Sequence, residues 1–150
     1  MTLYKLDFTI PPKTKKDNPV LQKLRINENF IEKIVVIIPP GHRGKAHMHI
    51  RYGLDLFAPM PSYVQKQDGT IEKQKIEDLW IEGDNAILEF PIFYSAPEVP
   101  FDITVEGYNE SEHYSHTFYI YINAVNKEDV LFSIVLRDFV KKLSEIFGLE

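Results

Sequence analysis

In residues 101 to 107, FDITVEG, the apolar Phe101, Ile103 and Val105 alternate with Asp102, Thr104 and Glu106. A period of two belongs to an extended strand with one face on a core and the other in water; a helix would scatter the same residues around its circumference. The pattern recurs at residues 3 to 10, where Leu6, Phe8 and Ile10 oppose Lys5, Asp7 and Thr9. It recurs again at 116 to 125, where Phe118, Ile120, Ile122 and Ala124 oppose Thr117, Tyr119, Tyr121 and Asn123. Between the apolar runs lie PPKTKKDNP (11 to 19), Asn27-Glu28-Asn29, PPGHRGK (39 to 45), Asp68-Gly69, Gly83-Asp84-Asn85 and SAPEVP (95 to 100). Proline has no N–H to give a ladder, and Gly, Asn and Asp suit turns, so each group ends a strand. Short strands with turn signals at roughly 8 to 12 residue intervals predict a mainly β chain, an antiparallel β-sandwich or jelly roll.

Residues 20 to 26 and 30 to 38 flank Asn27-Glu28-Asn29 and read as a hairpin, with Ile34 to Ile38 buried on both faces. Residues 46 to 58 read as one strand, with Ala46, Met48, Ile50, Tyr52, Leu54 and Leu56 inward and His47, His49, Arg51, Gly53 and Asp55 outward. Residues 62 to 77 read as a polar excursion. At Asn126 the period changes. Asn126 is a good N-cap, Glu128 and Asp129 suit the first turn, and Lys141 and Lys142 lie near the far end. Phe132, Leu136, Phe139, Leu143 and Ile146 are spaced 4, 3, 4 and 3, an apolar stripe on a single C-terminal α-helix that stops at Gly148. Coiled-coil seams use that spacing, so the stripe fits either the helix's own sandwich or a neighbouring subunit. The chain divides into an N-terminal strand or arm with its Pro-Lys loop (1 to 19), a β-sandwich (20 to 125) and the amphipathic helix (126 to 150). An arm able to pair with another subunit predicts that deleting residues 1 to 19 leaves a folded monomer.

At 150 residues the chain has the size of one domain. It has no cysteine, which removes thiolate chemistry, disulfides and Cys-based zinc sites. A net charge of -5 argues against a dedicated nucleic-acid binder, which needs a surplus of Lys and Arg over a whole face. The first residues lack the apolar run of a signal peptide and no segment reads as a membrane span, so maturation in the cytoplasm of the producer is expected. No Gly-rich phosphate loop or nucleophile elbow is present. Carboxylate pairs such as Glu110 with Glu112 or Asp78 with Glu82 arise by chance in a chain with 22 acids.

The densest chemistry lies in GHRGKAHMHIRYG, residues 41 to 53, which holds three of the five histidines. His47 and His49, at i and i+2 on one strand face, are close enough to share one ion, and His113 or His116 would supply a third ligand. Gly41, five residues, then His47-x-His49 resembles the first half of the cupin metal motif. That resemblance implies a metal-dependent enzyme on a double-stranded β-helix; where the family carries a glutamate, this chain has Gly53 and Leu54, followed by Asp55. The other two readings are a solvated strand face and a recognition surface of His42, Arg43, Lys45 and Arg51, joined by Lys13, Lys15 and Lys16. A third class is a carbohydrate- or other ligand-binding module, with Trp80, Tyr119 and Tyr121 as a flat aromatic surface.

The order of features from Gly41 to Asn123 is a PPG turn, LDLFAP, LWIEGDN and its strands, VPFDITVEGYN and a His-led final strand. In layout it resembles small β-sandwich virion structural proteins of prokaryotic viruses. The resemblance implies a non-enzymatic capsid, decoration, tail or adaptor subunit present in repeated copies. It further implies no cofactor, no membrane, and contacts with itself or neighbouring subunits. The expected interaction surface is His42, Arg43, Lys45 and Arg51 with the helix stripe Phe132, Leu136, Phe139, Leu143 and Ile146.

Overall fold

The computed structural model describes residues 1–61 and 63–148, with the side chains of 63, 64 and 129–134 outside that description. The strands are β1 (Thr2–Ile10), β2 (Val20–Ile26), β3 (Phe30–Ile38), β4 (Ala46–Tyr52), β5 (Asp55–Ala58), β6 (Tyr63–Gln65), β7 (Ile71–Lys73), β8 (Ala86–Ser95), β9 (Phe101–Asn109) and β10 (His116–Val125). The helix α1 (Lys127–Phe147) follows. Two four-stranded antiparallel sheets form, β1-β10-β3-β8 and β2-β9-β4-β5, with β6 and β7 as a separate hairpin. The pairings nest, β1 with β10, β2 with β9, β3 with β8 and β4 with β5. The chain is therefore one long antiparallel ribbon, rolled so that β10 also meets β3 and β9 meets β4. This is the jelly-roll form of the β-sandwich, and the mainly β expectation holds.

The core is built from the alternating faces. Ile34, Val36, Ile38, Phe118, Ile120 and Ile122 of the first sheet meet Met48, Ile50, Ile103 and Val105 of the second, all buried. Burying each such side chain contributes about 1.5–3 kcal/mol before entropy is counted, which is why the alternation specifies the sheets' inner faces.

Five sequence expectations give way. Residues 1 to 10 are not a detached arm: β1 pairs along its whole length with β10, and Phe8 and Ile10 sit in the core. The loop after it is tied down as well, with Lys13 N–H donating to Ser111 O and Thr14 bridging Asn109. Second, Asn27-Glu28-Asn29 crosses from one sheet to the other, because β2 and β3 each find partners far along the chain. Third, β3 is fully buried on one face only; Val35 and Ile37 are half-buried beside Tyr121 and Tyr119 on the outer face. Fourth, residues 46 to 58 bend into a hairpin at Gly53 (φ 57°), which turns Leu54 into solvent at 86% exposure. Glycine supplies that left-handed conformation without a Cβ clash. Fifth, the polar excursion contains the β6–β7 hairpin.

The helix begins and ends near the predicted residues, but Asn126 makes no side-chain cap bond. Asn29 supplies it, its Oδ1 accepting from Lys127 N–H at 2.7 Å. Gly148 closes the helix in the left-handed conformation, its N–H donating to Ser144 O. No strand packs extensively along α1 among the described residues. Leu136, Phe139, Leu143 and Ile146 are exposed, Phe139 at 58% and Ile146 at 75%. The Phe132 side chain lies outside the described residues.

Candidate functional site

On adjacent β4 and β9, His47 lies opposite Tyr108, His49 opposite Glu106, and Arg51 opposite Thr104. Alternation places these six on the outer face of the second sheet, since Met48, Ile50 and Val105 point into the core. Parity alone predicts that His47 and His49 meet water. They are buried instead, His49 at 1% exposure.

The covering comes from residues 79 to 82. Ile81 bridges Met48 at the free edge of β4, Met48 N–H donating to Ile81 O at 3.0 Å and Ile81 N–H to Met48 O at 2.7 Å. Because Ile81 turns inward and is buried, its neighbours Trp80 and Glu82 fall on the outer face, beside His49 and His47. Four rings then form a continuous row. His49 stacks on Trp80 (centroids 4.1 Å, planes at 12°), Trp80 meets Tyr108 edge-on (4.9 Å, 87°), and Tyr108 stacks on His47 (4.4 Å, 10°). The signal for this in the sequence is the short alternation Leu79-Trp80-Ile81-Glu82. It marks an extended segment without saying which strand receives it.

Charge is matched closely around the row. His47 Nδ1 lies 2.7 Å from Glu82 Oε2; its Nε2 lies 2.8 Å from Glu110 Oε1, close in distance but misaligned as a hydrogen bond. Two of the acids set aside as chance members of pairs, Glu82 and Glu110, thus flank one imidazole. Arg51 donates from Nε (2.8 Å) and Nη2 to Glu106 Oε1, and from Nη1 to Gly53 O. His49 donates from Nδ1 to Leu79 O at 3.0 Å, since a carbonyl only accepts, while Nε2 sits 3.4 Å from Glu106 Oε2 without an aligned bond. Burial holds the His49 pKa below its usual value, against the opposing pull of the Leu79 carbonyl and Glu106. Burial likewise raises the Tyr108 phenol, helped by Glu110 and Glu82.

Beside Trp80 the surface opens into a groove of about 970 Å³. His49, Arg51, Glu106, Trp80, Ile76 and Leu54 line it, with Lys16, Asp17, Lys73, Lys75 and Glu77 along its lips.

The other histidines lie elsewhere. His42, expected on a basic recognition surface, is 2% exposed. Asp84 Oδ1 accepts from Gly41 and Arg43 N–H at 2.8 and 3.1 Å, and that clasp tucks His42 against His116 (4.7 Å) and Phe118 (4.8 Å). His42 Nε2 donates to Thr117 O, and His116 Nε2 bonds Ser111 Oγ. Arg43 and Lys45 remain exposed, whereas Arg51 is partly buried. His113 is exposed beside Glu112. The four candidate ligands His47, His49, His113 and His116 therefore do not converge, and the described residues hold no group of three or more His, Asp or Glu placed to bind one metal ion. A comparison of the chain with protein-family models and with curated proteins finds no match.

Burial lowers the pKa of His42, His49 and His116 below the ordinary 6.5, and the neighbouring His116 lowers His42 further. The unfolded chain thus takes up protons before the folded one does. Their contribution to stability is whole above pH 6.5 and is lost progressively as pH falls below it. The thermal midpoint is expected to hold between pH 7 and 8 and to drop steadily from pH 6.5 to pH 5; a flat midpoint across that lower window would contradict the buried neutral state of these rings.

Proposed function

We propose that the protein is a non-enzymatic structural subunit that assembles with further copies of itself through α1, and that its setting is the virion of a prokaryotic virus, as a capsid, decoration, tail or adaptor subunit. The observation that carries the assembly reading is the exposed stripe of Leu136, Phe139, Leu143 and Ile146 on a helix that no strand covers extensively among the described residues. Large apolar patches left in water are costly and mark association surfaces. A stripe at coiled-coil spacing is self-complementary, so the simplest occupant is the same stripe of a second copy. The virion setting rests on the layout resemblance. Jelly rolls also serve as capsid domains, though they serve lectins and cupins too, and fold alone does not choose among them.

Light scattering on the full chain and on a chain ending at Val125 tests this. The full chain is expected to form a defined oligomer and the shortened one to be a monomer with an unchanged thermal midpoint, because none of the described side chains of α1 is buried. Leu136→Glu with Leu143→Glu is expected to give the same dissociation, since each charge placed in a dry seam opposes burial worth about 1.5–3 kcal/mol for the leucine it replaces. A full-length chain that is monomeric at high micromolar concentration would overturn assembly through α1.

A further inference from the structure

No described residue of α1 lines the groove beside Trp80, and its construction is that of a binding site. We propose that it binds an oligosaccharide, with Trp80 as the platform on which one sugar ring stacks.

Three features carry this. The first is preorganisation. Trp80 is held by His49 stacked at 4.1 Å, by the edge contact with Tyr108, and by its own Nε1–H donating to Glu77 O at 2.7 Å. An indole fixed before a ligand arrives loses little freedom when the ligand binds. The arrangement is also expensive. It removes two imidazoles from water on what would otherwise be a solvated face, and it leaves His49 Nε2 buried without an aligned partner. A sandwich that needed only a polar outer face would not require it.

The second feature is the balance of the lips. Four cations, Lys16, Arg51, Lys73 and Lys75, line the groove with three carboxylates, Asp17, Glu77 and Glu106. Arg51 and Glu106 are paired with each other. Lys16, Lys73 and Lys75 have no ion pair among the described residues, nor do Asp17 and Glu77. A polyol presents hydroxyls that both donate and accept, and it is met best by donors and acceptors interleaved around an apolar floor. A phosphate polymer asks for cations alone, and the near balance here, in a chain of net charge -5, yields little counterion release.

The third feature is size. About 970 Å³ is at the upper end of small-ligand sites, which run to roughly 1,000 Å³, and it accommodates more than one sugar ring. Trp80, Ile76 and Leu54 are the large apolar residues of its lining.

Trp80 is the chain's single tryptophan, so intrinsic fluorescence reports from the groove itself. The test applies the full-length protein to a printed array of neutral and uronic-acid-containing oligosaccharides, then titrates it with each array-positive sugar while following emission. Retention of an oligosaccharide with a saturable change in Trp80 emission is expected. Trp80→Ala is expected to weaken binding, read on the array, by about tenfold or more, the scale of one lost aromatic contact together with its buried area. Lys73→Ala with Lys75→Ala, at exposed positions that leave the fold intact, is expected to weaken it several-fold, and this pair decides the matter should the Trp80 variant fail to fold. Retention of no oligosaccharide, or affinity unchanged in both variants, would overturn the proposal. So would an oligothymidylate that shifts Trp80 emission at lower concentration than any sugar does, which would make the groove a single-strand stacking site.

Discussion

A chain lacking residues 1 to 10 is expected to show no cooperative thermal transition. Sequence alternation alone treats this segment as a strand that could be spared, yet β1 pairs from Thr2 to Ile10 with β10 and carries Phe8 and Ile10 into the core. Truncating a buried Phe or Ile to Ala costs about 2–5 kcal/mol each, because a cavity replaces packed atoms. Deleting the strand removes both residues and the backbone ladder with them, and it bares the core-facing side of β10. It also discards Thr2 and Tyr4, whose hydroxyls both donate to Glu28 at the turn between β2 and β3. Single domains are stable by only about 5–15 kcal/mol, so the loss is comparable to the whole. Circular dichroism during a thermal scan of the truncated chain checks this. A sharp transition within about 10 °C of the intact protein's would mean that β1 is dispensable after all, since a shift of that size reflects only about 2.5–5 kcal/mol in a domain of this length.

Gly107→Ala is expected to be the most damaging single methyl addition in the sandwich. Gly107 occupies a core-facing position of β9, where β1 crosses close to the second sheet. A Cβ built there lies 2.5 Å from Ile10 Cδ1, 2.6 Å from the His47 carbonyl oxygen and 2.8 Å from Phe8 Cε2. Ile10 could rotate away, but the His47 carbonyl belongs to the β4–β9 ladder and can retreat only if the two strands part. Overpacking a core typically costs about 1–3 kcal/mol, and with backbone as the obstacle the cost is expected at or above the top of that range. Chemical denaturation should register it as a lower midpoint with an unchanged slope. Ile10→Val together with Gly107→Ala would then recover only part of the loss, because the carbonyl contact remains. Full recovery would locate the clash in the side chain instead.

Much of the fold was legible in one dimension because sheets report their burial every second residue. FDITVEG, LYKLDFTI and HTFYIYINAV became β9, β1 and β10 with the predicted faces inward. The helix boundaries followed from a change of period and a glycine stop, both local signals. The candidate site was half legible. His47, His49 and Arg51 were correctly placed on one strand face, and the charge around them could be counted, but their surroundings could not.

The chain's local chemistry, then, determined where strands run, which side chains each turns inward, and that the last segment is a helix with an apolar stripe. Tertiary structure alone decided which strand lies beside which, because nested pairing joins residues as distant as Thr2 and Ala124, and no short-range pattern encodes a partner so far away. It decided that β1 belongs to the body, that His42 is enclosed, and that Leu136, Phe139, Leu143 and Ile146 of the helix stripe remain in water. It also decided the fate of the outer histidines. Parity says only that they leave the core, whereas the two backbone hydrogen bonds between Ile81 and Met48 bring Trp80 and Glu82 alongside them and turn a solvated strand face into a buried row of rings at the edge of a groove.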